Sequence, residues 1–574
     1  MLKQIYKCFN SLSTYTPKVP RAEGVPEQVY SIFTEKYDAI VIGGGVSGLF
    51  AAINLSQQGF STAIVTKSYP TRSNSVTITE GINAVYSEKD DWNYFNKATL
   101  QSSQGLSSPS LIQQLCKDSS TLISTLLNFG MPFDRDSSCN IQTSPNPENP
   151  LISWSKAGHL TGHNLLQTLT GQALKHKVRI LPDFFALDLI LQGNECQGLV
   201  ALNILSGNIH IFHSNSTVIA TGGFARIFNS TTQSSQNTGD GNALVSRAGF
   251  PNQNLEFVKY KPLSLYNTGH LIETSILTGK AKLLNRNHEE FLKNIEENKI
   301  CLAMAQEIQK GRGAGPKQDH LFLDVSNVDS AEIEEKLPFL KYFKYSNLLP
   351  VQPTAYKTLG GIPTDFNAQV ISNEEGKVVE NLYAIGEVAS SSIHGSNLLV
   401  GNSLTESLFS GKLVANTICS KTKPSAPFRD LPNFVQDSTI LRLESWRIKK
   451  GTRKIVGLKK KLQNTISSFC GLIKNKENLD EGLRKLVEMS VLMQEVHLND
   501  RGLKHNLELI EAIELENMLT VAKQMIAAVN LREESRGCHN REDFEKPNEK
   551  WLKHTLTWLQ SPDGEVGLET RLVI

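Results

Sequence analysis

The sequence predicts an α/β protein: a doubly wound, dinucleotide-binding domain interrupted by an inserted lobe, then a helical domain and a C-terminal tail. Three observations predict it. A strand–turn–helix–strand unit with a glycine-rich turn stands near the start of the chain, over residues 37–66. Two later strand-like runs, at 216–221 and 381–385, also end in glycine. From about 427 to 530, Leu, Lys and Glu recur at three- and four-residue spacing, the period of an amphipathic helix.

The first unit carries the most specific signal. Tyr37-Asp-Ala-Ile-Val-Ile42 has the length and β-branching of a buried parallel strand. Gly43, Gly44 and Gly45 follow, then the helix-forming Val46–Ala52, then a second strand at Thr62–Thr66. Gly43-x-Gly45-x-x-Gly48 is the dinucleotide fingerprint. Its first glycine permits the tight turn, its second lets the backbone approach a diphosphate, and its third lets the helix pack closely on the strand. The diphosphate is expected at the helix N-terminus, where free N–H groups and the helix dipole favour an anion. A strand before the motif and a helix and strand after it supply the context that a lone match lacks. The generic motif has an acid about 20 residues on for a ribose hydroxyl. Here that place holds Lys67, which argues against NAD.

The later runs, Ser216–Thr221 into Gly222-Gly223 and Asn381–Ile385 into Gly386-Glu387, extend the parallel-sheet signature. Residues 263–356 lack it and read as an inserted capping domain. The dinucleotide domain is therefore expected in two parts, 37–262 and 357–425. A linker at Pro424-Ser-Ala-Pro427 leads to the helical domain at 427–530 and a C-terminal region at 531–574.

Composition limits the function classes. A chain of 574 residues is too long for one core. Its 39% apolar and 20% charged residues are those of a globular protein. A net charge of +2 makes no electrostatic case for nucleic acid. No apolar run reaches the roughly 18 residues of a membrane helix, so a membrane would be reached only through a partner. The eight cysteines form no C-x-x-C pair, which disfavours zinc or an iron–sulfur cluster in this chain; no metal site is expected. Residues 1–22 are basic, free of acids and rich in Ser and Thr, and Leu2, Ile5, Tyr6 and Phe9 can share a helix face. They read as a mitochondrial transit peptide cleaved between about residues 15 and 30, with a disordered tail as the alternative.

Further motifs resemble the succinate dehydrogenase and fumarate reductase flavoprotein-subunit family, in its mitochondrial form. They include Pro70-Thr-Arg-Ser73, Gly81-Ile-Asn-Ala84, Phe129-Gly-Met-Pro-Phe133, Thr238-Gly-Asp-Gly241, Gly360-Gly-Ile-Pro-Thr364, His394-Gly395, Asn402-Ser-Leu404 and Arg541-Glu-Asp543. The likeness runs in one order over residues 37–574. It implies a Rossmann-like FAD-binding domain with an inserted cap. Gly43, Gly45, Gly48, Lys67, Ser73, Gly81, Thr221, Gly222, Asp240, Glu387, Ser403 and Leu404 would hold FAD. Asp240 would serve the adenosine side and Glu387 a ribose or ribityl hydroxyl. The family reaction is succinate to fumarate, with electrons passed via FAD to an iron–sulfur subunit. The resemblance thus implies such a partner and a peripheral place on the matrix side of the inner mitochondrial membrane.

The departures from the family cluster at the chemistry. The His that links the flavin covalently is Asn74 here, so bound FAD would be non-covalent. The family's Gln-Gly-Gly beside the ring reads Thr79-Glu80-Gly81. Its substrate residues read Lys261, Glu273, Thr274, Tyr356 and Leu398, and its proton-shuttling Arg aligns with Glu297, with Lys293 or Lys299 near. Each lost charge-assisted bond removes roughly 1.5–3 kcal/mol, so dicarboxylate binding should fall by about 4–6 kcal/mol. Glu80, Glu273 and Glu297 would oppose only Lys261, so a dianion is expected to meet repulsion. Three readings follow. The chain is a degenerate structural paralogue, an active succinate dehydrogenase subunit with a rebuilt site, or an FAD oxidoreductase of another substrate such as an amine.

Overall fold

The computed structural model describes residues 11–16, 29–86, 90–278, 280–292, 299–337, 340, 347–561 and 565–573. Its largest sheet has a parallel centre of five strands. In spatial order they are Val378–Ala384, Ile209–Ile219, Tyr30–Ile42, Thr62–Val65 and Arg179–Leu181. The apolar run Ala39–Ile42 is buried on both faces, as a central parallel strand requires. Its strand begins at Tyr30, well before the apolar run, because Glu35 in the added part is itself buried and partnered. Tyr37 donates to its Oε2 at 2.9 Å, and the His210 ring lies 3.1 Å from its Oε1. The sheet is not wholly parallel. Phe184–Gln192, Glu195–Asn203 and Ile209–Ile219 form an antiparallel meander on one side.

Three strand ends meet at one edge. The strand Tyr30–Ile42 runs into Gly43, Ile209–Ile219 into Ala220–Gly222, and Val378–Ala384 into Gly386-Glu387. A crevice at the carboxyl ends of such strands is where open α/β sheets bind ligands. The helix Val46–Gln57 starts at this edge and packs between the sheet and the helix Asn402–Lys421.

Residues between the two parts of this domain form a separate four-stranded antiparallel sheet, ordered Val258–Leu265, Leu348–Thr358, Leu321–Asp324, Lys282–Leu284. It has its own apolar cluster, including Leu263, Ile276, Met304, Leu323 and Val351. The pairing of its first two strands is irregular in two places. Lys259 faces Lys357 and Tyr260 faces Ala355, so Tyr356 is an extra residue in a β-bulge. The second irregularity surrounds Pro262, which has no N–H to give to the ladder.

The expected helical stretch comprises Asp437–Arg447, Ile455–Phe469, Lys476–Leu492 and Leu507–Leu531. The last is buried on nearly every side, which explains its weak amphipathic pattern. It packs against the helix Asp240–Arg247 and so brings Glu514 and Asn517 to the crevice. Among the described residues no helix is long and apolar enough to cross a membrane, and no metal-binding cluster of His, Cys, Asp or Glu occurs.

Most of the expected transit peptide, 1–10 and 17–22, lies outside the described residues. Within it, Ser11–Tyr15 forms an edge strand antiparallel to Tyr30–Thr34, which removal beyond Tyr15 would strip away.

The chain closes with the hairpin Lys553–Leu559 and Val566–Leu572. In it His554 is buried, with Asn254 Nδ2 2.8 Å from Nδ1 and Ser392 Oγ 3.3 Å from Nε2. Burial, then repulsion from Arg571 and Arg532, pushes its pKa from 6.5 to about 3. The unfolded chain therefore binds a proton that the fold refuses. Stability from this group is whole above pH 6.5 and is lost as pH falls towards 3. The loss is about 1.4 kcal/mol per pH unit. Urea unfolding at pH 7 and pH 5 should show a fall about 2 kcal/mol smaller for His554→Gln than for the unaltered protein. Equal falls would exclude a buried neutral His554.

Candidate cofactor cleft and reaction site

The crevice is an open cleft of roughly 950 Å³, counting the solvent space at its mouth. Gly43, Gly45, Lys67, Ser73, Asn74, Thr221, Gly222, Asp240, Glu387 and Ser403 line it, together with Lys357, which the sequence did not single out. Gly48, Gly81 and Leu404 do not. A Cβ on Gly48 would lie 2.1 Å from the Gly43 carbonyl oxygen, and one on Gly81 2.8 Å from the Trp154 ring. Both glycines serve packing behind the wall. Leu404 is 1% exposed and belongs to the apolar core.

Each end of the cleft has its own electrostatics. At one end the Lys67 ammonium lies 2.7 Å from both Asp240 Oδ2 and Glu514 Oε1 and donates to Thr238 Oγ1 at 3.1 Å. Burial works against its charge, but the two carboxylates outweigh burial and hold its pKa above the usual value. Asn517 donates to Asp240 Oδ1 at 2.8 Å. Lys67 is thus an anchor for an acid delivered from elsewhere in the chain. In the middle, the helix Val46–Gln57 presents its first N–H groups beside Gly45. A Cβ on Gly45 would meet nothing of the protein closer than Ser75 Oγ at 3.6 Å.

At the other end Lys357, buried, donates to Ser403 Oγ at 2.8 Å and pairs with Glu406 Oε2 at 3.5 Å. His394 Nε2 shares that oxygen at 3.2 Å. Burial raises the Glu406 carboxyl, but Lys357 and His394 prevail and bring it down to about 2. Glu387 Oε1 accepts from the Thr358 N–H at 3.0 Å, from Thr358 Oγ1 at 3.1 Å and from Gln233. Burial pushes its pKa up, with Lys357 opposing.

The walls fit a flavin dinucleotide. Ser73 Oγ and Thr221 Oγ1 are buried on the wall with no hydrogen-bond partner among the described residues, and a polar ligand would satisfy them. The open face of Gly45 at a helix N-terminus suits a diphosphate. The Asn74 amide oxygen accepts from the Ser234 N–H at 2.9 Å.

The residues aligned with the family's reaction site fall into separate groups. Lys261, Tyr356 and Glu80 meet. The Lys261 ammonium lies 2.8 Å from Glu80 Oε1, a charge contact outside good hydrogen-bond geometry, and Tyr356 donates to Glu80 Oε2 at 2.9 Å. Lys261 also sits 5.1 Å from the Tyr356 ring centre. Leu398 is fully buried in an apolar cluster with Leu106, Phe257 and Leu359, against which Tyr356 packs. Glu273 stands apart, half-exposed, 3.3 Å from Lys156, and Thr274 opens a short 3-10 turn. Lys299 is exposed before the helix Ile300–Glu307. Glu297 and Lys293 lie outside the described residues.

Among the described residues Glu80 and Glu273, the two acids of the expected excess that can be placed, each face a lysine, and Glu297 lies outside them. Lys156 pairs with Glu273, Lys259 with Glu148 at 3.2 Å, Lys261 with Glu80 and Lys357 with Glu406. Lys259 also donates to the Leu398 carbonyl at 2.6 Å. Lys259 and Lys357 could have been suspected from the sequence, since each adjoins the strand positions of Lys261 and Tyr356.

Comparison with known proteins agrees with this architecture. Residues 38–404 match the family described as FAD binding domain, and residues 459–574 match Fumarate reductase flavoprotein C-term. The chain is 34% identical to the mitochondrial succinate dehydrogenase [ubiquinone] flavoprotein subunit of Oryza sativa subsp. japonica, over 93% of this chain and 89% of the relative. It is 33% identical to the succinate dehydrogenase flavoprotein subunit of Rickettsia conorii, over 95% and 96%. Among solved structures, E. coli quinol fumarate reductase superposes with a TM-score of 0.85 at 26% identity, covering 94% of this chain and 97% of that one. With the glycine turn, the cleft at the strand ends and both family matches in one chain, this protein belongs to the succinate dehydrogenase/fumarate reductase flavoprotein-subunit family.

Proposed function

We propose that this chain is a flavoprotein subunit that holds FAD without a covalent link, partners an iron–sulfur protein and no longer oxidises succinate. The observation that carries this reading is the replacement and mutual pairing at the reaction site. Glu80 is paired in charge with Lys261 and accepts from Tyr356, and Leu398 is sealed in an apolar cluster. FAD, when bound, supplies the electron-transfer chemistry. The residues of this chain would then bind and orient it. The N-terminus of the helix Val46–Gln57 takes the diphosphate, Asp240 the adenosine side, Glu387 a sugar or ribityl hydroxyl, and Ser73, Thr221 and Ser403 the remaining polar atoms. Asn74 has no nucleophilic nitrogen to form the flavin link.

The partner and the place in the cell are part of the same proposal. Relatives named as succinate dehydrogenase subunits support an iron–sulfur partner, with any membrane contact made through partner subunits. A mitochondrial site on the matrix side rests on the basic leader, since bacterial relatives are about as similar as mitochondrial ones. The reading with an amine substrate loses the support of Glu80 and Glu273, since each is matched by a lysine.

The test is the anaerobic visible spectrum of the purified protein before and after succinate, followed by acid precipitation. The expected result is a flavin spectrum unchanged by succinate, with the flavin released into the supernatant. Bleaching by succinate would overturn the loss of activity. Flavin that stays with the precipitate would overturn the non-covalent link.

A further inference from the structure

We propose that Glu80 is a built-in carboxylate ligand, held by Lys261 and Tyr356 in place of the carboxylate of an incoming acid, so that the reaction site is closed to carboxylic acids. The inference rests on the reading of Lys261 and Tyr356 as residues at the family's substrate positions. The geometry is that of a bound carboxylate. One oxygen lies 2.8 Å from an ammonium and the other accepts from a phenol at 2.9 Å. All three groups are shielded, with the Glu80 side chain 10% and the Lys261 side chain 16% exposed.

The backbone supports this assignment. Tyr356 is aimed by a β-bulge and Lys261 lies beside the irregularity at Pro262, so both strands bend from a plain ladder where they reach Glu80. Such a bulge re-aims a side chain at the cost of a regular pair. The protonation states agree too. Burial would raise the Glu80 carboxyl, but Lys261 and Tyr356 hold it below its usual value, while burial and Glu80 push the Tyr356 phenol well up. At neutral pH Glu80 is therefore a carboxylate and Tyr356 a neutral phenol. Removing Glu80 would open a carboxylate-sized space beside the Lys261 ammonium and the Tyr356 hydroxyl, and a free acid could enter it.

Glu80→Gly and Glu80→Ala test the proposal, with malonate and acetate as probes. The glycine variant restores the residue type of the family at that place and should fold. Binding is read from the perturbation of the flavin spectrum and from the thermal midpoint, which needs folded protein but no activity. Either variant should bind malonate or acetate at least tenfold tighter than the unaltered protein, and Lys261→Met added to it should abolish the gain. A folded Glu80 variant with no gain overturns the proposal, and so does a gain that survives the loss of Lys261. Failure of this test leaves the loss of activity standing, whereas bleaching of the unaltered protein by succinate would overturn both, so the two failures are distinguishable.

Discussion

Gly48→Ala is expected to cost the protein both its flavin and much of the stability of the dinucleotide domain. The new Cβ would lie 2.1 Å from the Gly43 carbonyl oxygen, 3.2 Å from Val41 and 3.3 Å from Ala220. All three belong to the turn or to strands with no room to move. Overpacking of this kind costs about 1–3 kcal/mol or more, and relief requires the helix to back away from the turn. That movement carries the helix N-terminus off the diphosphate position. Gly45→Ala is the informative contrast. Its Cβ meets no protein atom closer than 3.6 Å, so the fold should hold. The methyl group would instead stand in the cleft, and FAD affinity should fall roughly tenfold or more. Flavin absorbance per mole of protein and urea unfolding together separate the two variants. A Gly48→Ala protein with full flavin and unchanged stability would refute the packing argument.

Arg532→Ala should lower the unfolding free energy by about 3–5 kcal/mol, the cost of breaking a buried ion pair by removing one partner. The Arg532, Glu256 and Glu534 side chains are all 0% exposed. Arg532 Nε donates to Glu256 Oε1 at 2.7 Å, Nη1 to Glu534 Oε1 and the Trp551 carbonyl, both at 2.9 Å, and Nη2 to the Lys553 carbonyl at 2.7 Å. These bonds tie the end of the helix Leu507–Leu531 to the C-terminal hairpin and to the segment entering the inserted sheet. Without the guanidinium, Glu534 keeps Arg536, whereas among the described residues Glu256 keeps the Thr555 hydroxyl. Arg532→Lys should also be costly, since an ammonium cannot reproduce the planar fork. Urea unfolding followed by fluorescence measures both. A loss below about 1 kcal/mol for the alanine variant would mean the carboxylates find water or other partners.

Much of the cleft was legible because its signals are local. A strand, a glycine turn and a helix within some fifteen residues fix where Gly43, Gly45 and Gly48 lie, since turn chemistry and side-chain periodicity act over a few positions. The antiparallel meander was also written locally, in the two-residue Gly193-Asn194 turn between two apolar runs, and went unread. The length of the strand from Tyr30 was not legible, since Glu35 and Tyr30 in its added half find His210 and Glu444 only across the fold.

By itself the sequence determined the order of the elements, the glycine turn and the helical character of the last third. The tertiary structure alone decided the charges. Lys67 meets Glu514 across more than four hundred residues, and Glu80 meets Lys261 and Tyr356 from three separate segments. Among the described residues Glu273, expected to go unmatched, meets Lys156, and Glu80 takes Lys261. The reason is physical: backbone preference depends on near neighbours, whereas an ion pair depends on distance in space and on burial, which exist only once the chain has folded.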